Sequence, residues 1–352
     1  MTAQAAFVAG LGASTSVGRA AWPTAAAVRA GISGLVQHPF MLDATGEPMR
    51  AAIAPWLDIE LGGVDRFIAL LSPAIDQALE PLEPVASNGL RVALSLGLPA
   101  PRPGLPADLQ PELLKRIGSE GRFGFAAVAA FPNGHAAGLT ALMAAAKKLS
   151  DGAFDACVVA GVDSYMEPET LEWLEECEQL HGVGPLNNPW GFVPGEGCGA
   201  VLLIRSQLAD RLGMATLARI LGAGSAFEPK RIKTEAVCIG EGLTEAFRVA
   251  LRAIPDGARV TDVYCDMNGE RYRADEFGFA CLRTRESFEF ASDFIAPADC
   301  WGDVGAASGP LSAMLAAVAG VKGYAKGPYS FVWASSEAGD RAAVLIETRQ
   351  RR

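Results

Sequence analysis

The sequence predicts an α/β protein. Strand-length apolar runs alternate with helix-length runs along the whole chain, which is the pattern of helices packed on mixed sheets. The alternation restarts near Arg205–Leu212, and two runs of small residues, 134–146 and 304–320, occupy comparable places on either side of that point. We therefore divide the chain into an N-terminal half, 1–207, and a C-terminal half, 208–352, related by internal duplication.

The elements follow in order. Phe7–Gly12 reads as a strand running into a glycine turn, and 19–30 as a helix closed by Gly31. A helix is expected over 68–79, a buried strand over 90–96 and a proline-rich loop over 99–111. At 129–149 an apolar strand end meets Pro132-Asn133-Gly134 and then a long helix of small residues. Such a turn aims free backbone N–H groups at whatever flanks residue 131. A strand at 155–161, an acidic helix at 167–180, a Gly/Pro/Asn-rich loop at 182–199 and a strand at 200–204 complete the first half. The second half reads strand 215–222, helix 242–254, strand 260–266, helix 274–282, small-residue helix 303–321, and strands 330–334 and 342–346.

Composition narrows the function. The net charge is −10, so phosphate-rich polymers are unfavourable partners, and no nucleic-acid role is expected. The seven cysteines stand singly, without CxxC pairs; no zinc site is expected, and an odd number of unpaired thiols suits a reducing cytoplasm. The opening MTAQAAFVAG lacks a basic leader region. The apolar runs 123–146 and 304–321 are mostly Ala and Gly, and the first is broken by Pro132-Asn133; buried helices are expected there, not membrane spans. Gly10-Leu11-Gly12 follows a strand, but Thr15 stands where a dinucleotide fingerprint needs its third glycine. No GxSxG elbow with a supporting His occurs, and no cofactor or metal is implied.

Several stretches resemble the thiolase superfamily and, within it, the β-ketoacyl synthases. FVAGLGASTSVGRAAWPTAAAVRAGISGL is similar to their opening strand, DGAFDACVVAGVDSY to the stretch after their nucleophile helix, GPLNNPWGFVPGEGCGAVLL to their D-G-F-V-x-G-E-G-A-G segment, and WGDVGAASGPLSAML to the G-H-x-G-A-A-S-G segment that carries their second catalytic His. The resemblance implies a thiolase-like αβαβα fold of five layers. It implies acyl transfer to a Cys activated at a helix N-terminus, with two imidazoles meeting the enolate that decarboxylation creates.

Carried over position by position, that machinery is missing. The family's Cys falls on Phe131, its first His on Asp266 or a neighbour, its second His on Asp303 and its Lys on Ala298. The terminal glycine-rich loop falls near Phe331–Ser336. His135 is the one His near the site; with no partner identifiable in the sequence, a packed structural role is preferred over a displaced base. Cys198 and Cys157 read as small core residues, and Cys265 and Cys300 lack the positive neighbour that activates a thiol. His135, Asn268, Glu270, Arg273 and Trp333, with Asp266 and Asp275, are candidates to line a rebuilt polar pocket; the alternative is an ion-pair network filling the space of the lost imidazoles.

The expected function is thus a degenerate ketosynthase-like binding, scaffold or adaptor protein, similar to thiolase-like proteins of type VI secretion loci. The alternative is an acyltransferase or decarboxylase on a thioester carrier. The resemblance implies a homodimer in which strand 155–161 pairs across a two-fold axis, and a secretion effector or an acyl carrier protein as partner. Phe131 and Trp333 are expected to narrow the old acyl tunnel.

Overall fold

The computed structural model describes residues 6–184, 187–231, 234 and 236–349, without the side chains of 85–88. The first residues of the leader reading, and Pro185 and Leu186 of the expected loop, lie outside the described residues. In chain order the first half comprises β1 (Ala6–Thr15), α1 (Ala21–Arg29), β2 (Val36–Leu42), β3 (Pro48–Ala51), α2 (Gly63–Leu79), β4 (Val92–Gly97), α3 (Leu109–Glu120), β5 (Ala127–Phe131), α4 (Ala137–Ser150), β6 (Ala156–Ser164), α5 (Pro168–Glu176), β7 (Glu196–Arg205) and α6 (Ser206–Leu212). The second comprises β8 (Ala218–Phe227), α7 (Glu241–Leu251), β9 (Asp262–Cys265), α8 (Arg271–Thr284), α9 (Ala298–Trp301), α10 (Ser308–Lys322), β10 (Tyr329–Ser335) and β11 (Asp340–Thr348).

Nine strands form one continuous ladder in the order β5-β4-β6-β7-β1-β8-β11-β10-β9. It is two sheets joined where Ala6–Val8 of β1 pair with Ala218–Ile220 of β8. Outward from that seam the two sides repeat: β1 and β8, β7 and β11, β6 and β10, β4 and β9, with the same parallel and antiparallel pairings. The counterpart of β5 is reduced to a single bridge, where Ile295 pairs with Tyr264 of β9.

The layers stack as α2 and α3, first sheet, α4 and α10, second sheet, α7 and α8. This five-layer α/β arrangement is the thiolase-like fold. Small residues make the middle layer possible. Helix α10 is buried from Ser308 to Gly320 because sheets cover it on both sides. A Cβ on Gly138 of α4 would lie 2.3 Å from Pro310 Cδ, and one on Gly309 of α10 would lie 2.7 Å from Leu139 Cγ, so each helix meets the other through its own glycine. Each also begins with a 3-10 turn, Gly134–Ala136 or Gly305–Ala307, whose first glycine has positive φ, +71° or +46°.

The structure moves several expected boundaries. Gly10 and Gly12 do not turn; β1 runs on to Thr15, and the missing side chains let α2 lie on the strand, with a Cβ at Gly12 only 1.8 Å from Ala74 O. Gly199 belongs to β7 for the same reason, since Leu311 of α10 crosses there, and Gly197 of β7 lies against Ser14 and Thr15 of β1. The small-residue helix starts at Ser308, five residues after Asp303, and the acidic helix ends at Glu176. Helix α3 and the β2-β3 hairpin were not expected; α3 buries Leu109, Leu113 and Ile117 along one face. The strand at 155–161, seen as β6, lies between β4 and β7, so both of its edges are used and it cannot pair across a two-fold axis. The free edge belongs to β5.

The middle layer leaves no room at β6. A Cβ on Gly161 would approach Ala306 O to 2.3 Å. Gly161→Ala is expected to destabilise the fold by roughly 1–3 kcal/mol through overpacking. Urea denaturation with an unchanged midpoint would show that the layers part freely.

Candidate functional site

The site forms where the starts of α4 and α10 meet. Strand β5 ends at Phe131, Pro132 and Asn133 turn the chain, and His135 sits in the 3-10 turn ahead of α4. Asp303 sits two residues ahead of the matching turn before α10. Because the two helices cross at these ends, His135 Nε2 lies 2.9 Å from both carboxylate oxygens of Asp303. Both residues are buried. This is the partner the sequence did not identify.

Around that pair the polar groups are closely matched. Asn268 Nδ2 donates to Asp303 Oδ2 at 2.6 Å, Gly305 N–H to Oδ1 at 2.8 Å, and Tyr165 O–H to Oδ1 at 3.5 Å. Arg273 of α8, wholly buried, donates to Asp266 Oδ2 at 2.9 Å, to Glu270 Oε2 at 3.3 Å and to Ser335 O at 2.8 Å. Its Nη2 stands 3.3 Å from His135 Nε2. On the first-half side Arg102 donates to Asp163 Oδ1 and Ser164 O, both at 2.7 Å, and its guanidinium stacks on Tyr165.

The charge states follow from this geometry. Burial pulls the His135 pKa down, the Asp303 carboxylate pushes it up, and the net result lies above the ordinary histidine value. Burial would raise Asp303, yet His135, Arg273 and Asn268 hold it well below the usual carboxylate range. The opposite directions of the two shifts reflect the attraction between ring and carboxylate. Tyr165 is kept a neutral hydroxyl by burial and by Asp303.

Three more features decide the chemistry. Phe131 is half-buried against the central core. Burial pushes the Cys157 and Cys281 thiols up to about 12, and raises those of Cys198, Cys265 and Cys300. Two of the turn's backbone donors are already used: Gly134 N–H bonds to Leu98 O at 3.1 Å and Ala136 N–H to Ser336 Oγ at 2.8 Å. A cavity of about 230 Å³ remains beside the cluster, lined by Arg102, His135, Tyr165, Trp173, Phe192 and Glu337 among others.

Of the expected pocket residues, His135, Asn268, Glu270 and Arg273 come together with Asp266 and Asp303. Trp333 does not. Strand alternation turns it to the outer face of β10, where it stacks on Phe277 with ring centroids 4.8 Å apart, so it cannot narrow the acyl cavity. Asp275 points outward and pairs with Arg271 on the surface. The strand expected over 330–334 is seen as β10, so any loop at that end begins only after Ser335. Asp266 faces Arg273 and the Ser335 N–H, and Asn268, two residues on, is the side chain that reaches Asp303. Arg102 and Tyr165 were not singled out from sequence, although Tyr165 is the last residue of the DGAFDACVVAGVDSY stretch. Among the described residues one trio, Glu228, Cys238 and Glu276, has ligand atoms close enough for a metal, but Arg341 holds Glu276 at 2.7 Å and Gly242 N–H holds Glu228 at 2.8 Å. No described helix is long and apolar enough to cross a membrane.

Comparison with known proteins agrees with the fold. Residues 123–209 match the family model of the beta-ketoacyl synthase N-terminal domain. No curated protein sequence matches the chain. A type II polyketide synthase ketosynthase, solved with its acyl-carrier protein and bound to the hexaketide, superposes with TM-score 0.82 at 15% identity, covering 99% of this chain and 100% of that one. The ishigamide ketosynthase/chain length factor gives 0.78 at 15% identity over 99% and 100%. The module 6 ketosynthase of the bacillaene synthase of Bacillus subtilis 168 gives 0.76 at 15% identity over 99% and 72%. The chain has a ketosynthase-like, thiolase-type fold.

The ion pair sets a pH signature. A raised His135 pKa means its contribution to stability is complete below about pH 6.5 and is lost as pH rises through the folded-state value. His135→Asn should lower stability at pH 6 by roughly 3–5 kcal/mol, as loss of one partner of a buried pair does. It should also flatten the decline on the alkaline side. Denaturation at pH 6 and 9 gives both readings, and an unaltered pH slope in the variant would contradict the assignment.

Proposed function

We propose that this chain is a non-condensing ketosynthase-like protein that acts by binding, as a scaffold or adaptor. The observation that carries the proposal is the turn at Phe131: no thiol stands there, and the Gly134 and Ala136 amides are bonded within the protein. Asp303 supports it further. Decarboxylation builds negative charge on a thioester oxygen, and a fixed carboxylate repels that charge. The secretion accessory role suggested by the sequence resemblance is one form of this reading. An acyl carrier protein is the other partner to test, since one structural neighbour was solved in complex with its carrier. We also read residues 1–207 and 208–352 as duplicated halves, supported by their matching strand orders.

A second reading has its own observation. His135 and Tyr165 both line the 230 Å³ cavity and both touch Asp303, an arrangement that could serve a rebuilt acid–base site on a thioester. One variant separates the readings. Phe131→Cys should accept an acyl group from a reactive thioester yet form no β-ketoacyl product. Asp303 and His135 are bound to each other, so neither is free to meet an enolate oxygen. Mass spectrometry scores acyl-enzyme and product separately. Product from the unaltered chain would replace the adaptor reading with the enzyme.

The free edge of β5 supports a homodimer with strands paired across a two-fold axis. Ala127–Phe131 bonds only to β4, and its alanines at 127 and 129 are exposed. Light scattering should return twice the 36.7 kDa chain mass. A monomer at micromolar concentration would refute the pairing.

A further inference from the structure

The outer layer of the second half holds an unbalanced cluster of arginines. A cleft of about 360 Å³ lies between the ends of α7 and α8 and is lined by Arg248, Arg252, Arg283 and Arg285, with Glu286 the single carboxylate. The chain as a whole carries −10, so the sign here is opposite to the average. Arg283 is held by neutral acceptors, Ile239 O at 2.6 Å and Thr244 Oγ1 at 3.2 Å. None of the four arginines pairs with a carboxylate among the described residues.

This arrangement has a cost that packing alone does not repay. Arg248 and Arg252 stand four apart on one helix, where like charges repel. A helix C-terminus favours a nearby cation, which accounts for Arg248 and Arg283 in the last turns. It does not call for two cationic pairs facing one cleft. The choice of arginine at all four positions matters, because the planar guanidinium fork matches the oxygens of a phosphoryl group. A phosphate monoester brings about −1.5 to −2 charges at neutral pH, so a diphosphate suits the excess of cations in the cleft. A longer polyanion would meet the repulsion of the rest of the surface. The cleft lies across the second sheet from α10 and is separate from the His135–Asp303 site.

We propose that the α7–α8 cleft binds a small organic di- or monophosphate through Arg248, Arg252, Arg283 and Arg285. Inorganic pyrophosphate is the probe, titrated calorimetrically into the full chain at constant chloride. Saturable one-to-one binding is expected, weakened about tenfold by each of Arg252→Ala and Arg285→Ala, as loss of a charge-assisted contact implies. Arg252→Lys should fall between, since it keeps charge and loses the fork. All these side chains are exposed, and the pyrophosphate-free unfolding midpoint reports whether each variant is folded. No saturable binding, or binding unchanged in the double Ala variant, would overturn the proposal. So would a single-stranded oligonucleotide that binds more tightly than pyrophosphate with a steep salt dependence, which would reassign the cleft to nucleic acid.

Discussion

The contact between α4 and α10 fixes everything else. Gly138 lies under Pro310 and Gly309 under Leu139, so two helices share one layer between two sheets. Any larger residue at either glycine would force the helices apart. The starts of both helices would separate with them, and His135 and Asp303 would no longer meet. The glycines and alanines that look featureless in sequence therefore set the distance on which the buried ion pair depends. Matching 3-10 turns open both helices; His135 lies in the first and Asp303 two residues ahead of the second.

A buried ion pair is weak evidence of stabilisation, because desolvating two charges offsets most of their attraction. Here the pair is embedded in a network that satisfies most of its atoms: Asn268, Gly305 and Tyr165 on Asp303, and Asp266, Glu270 and Ser335 on Arg273. Asp266 Oδ1 is the member left without a partner, and it borders a space about the size of one water. Such a network specifies one packing of the two halves, since a shifted helix would strand several charges at once. Structure and function are not alternatives for it. The same atoms that lock the halves together line the cavity beside them.

The sequence carried the fold further than the site. Strand and helix order and the central turn were legible because apolar periodicity and Pro-Asn-Gly punctuation are local signals. Boundaries failed where glycine serves close packing instead of turning, as at Gly12 and Gly199, because nothing local distinguishes the two uses. At the site, Asp303 and His135 were each visible, but they are 168 positions apart, and their pairing is a property of the helix crossing. Trp333 was misplaced although its strand was expected, because the sequence does not say which face of that strand meets the cavity and which packs on Phe277. Net charge misled in another way: −10 is an average, and the arginines of α7 and α8 converge only after folding.

The loss of condensation chemistry, on the reading proposed above, is not a single substitution. A thiol at residue 131 would need amides free to meet an acyl oxygen, but Leu98 and Ser336 hold those of Gly134 and Ala136. Ser336 directly follows β10, so the Ala136 donor is held from the other side of the molecule. Freeing it means moving that strand end, which also carries the Ser335 carbonyl that binds Arg273. Arg273 in turn stands against His135, and His135 against Asp303. Each change that would reopen the old geometry thus disturbs the network that now holds the halves together. A site coupled in this way is protected against reversion by stability itself, independently of any selection on activity.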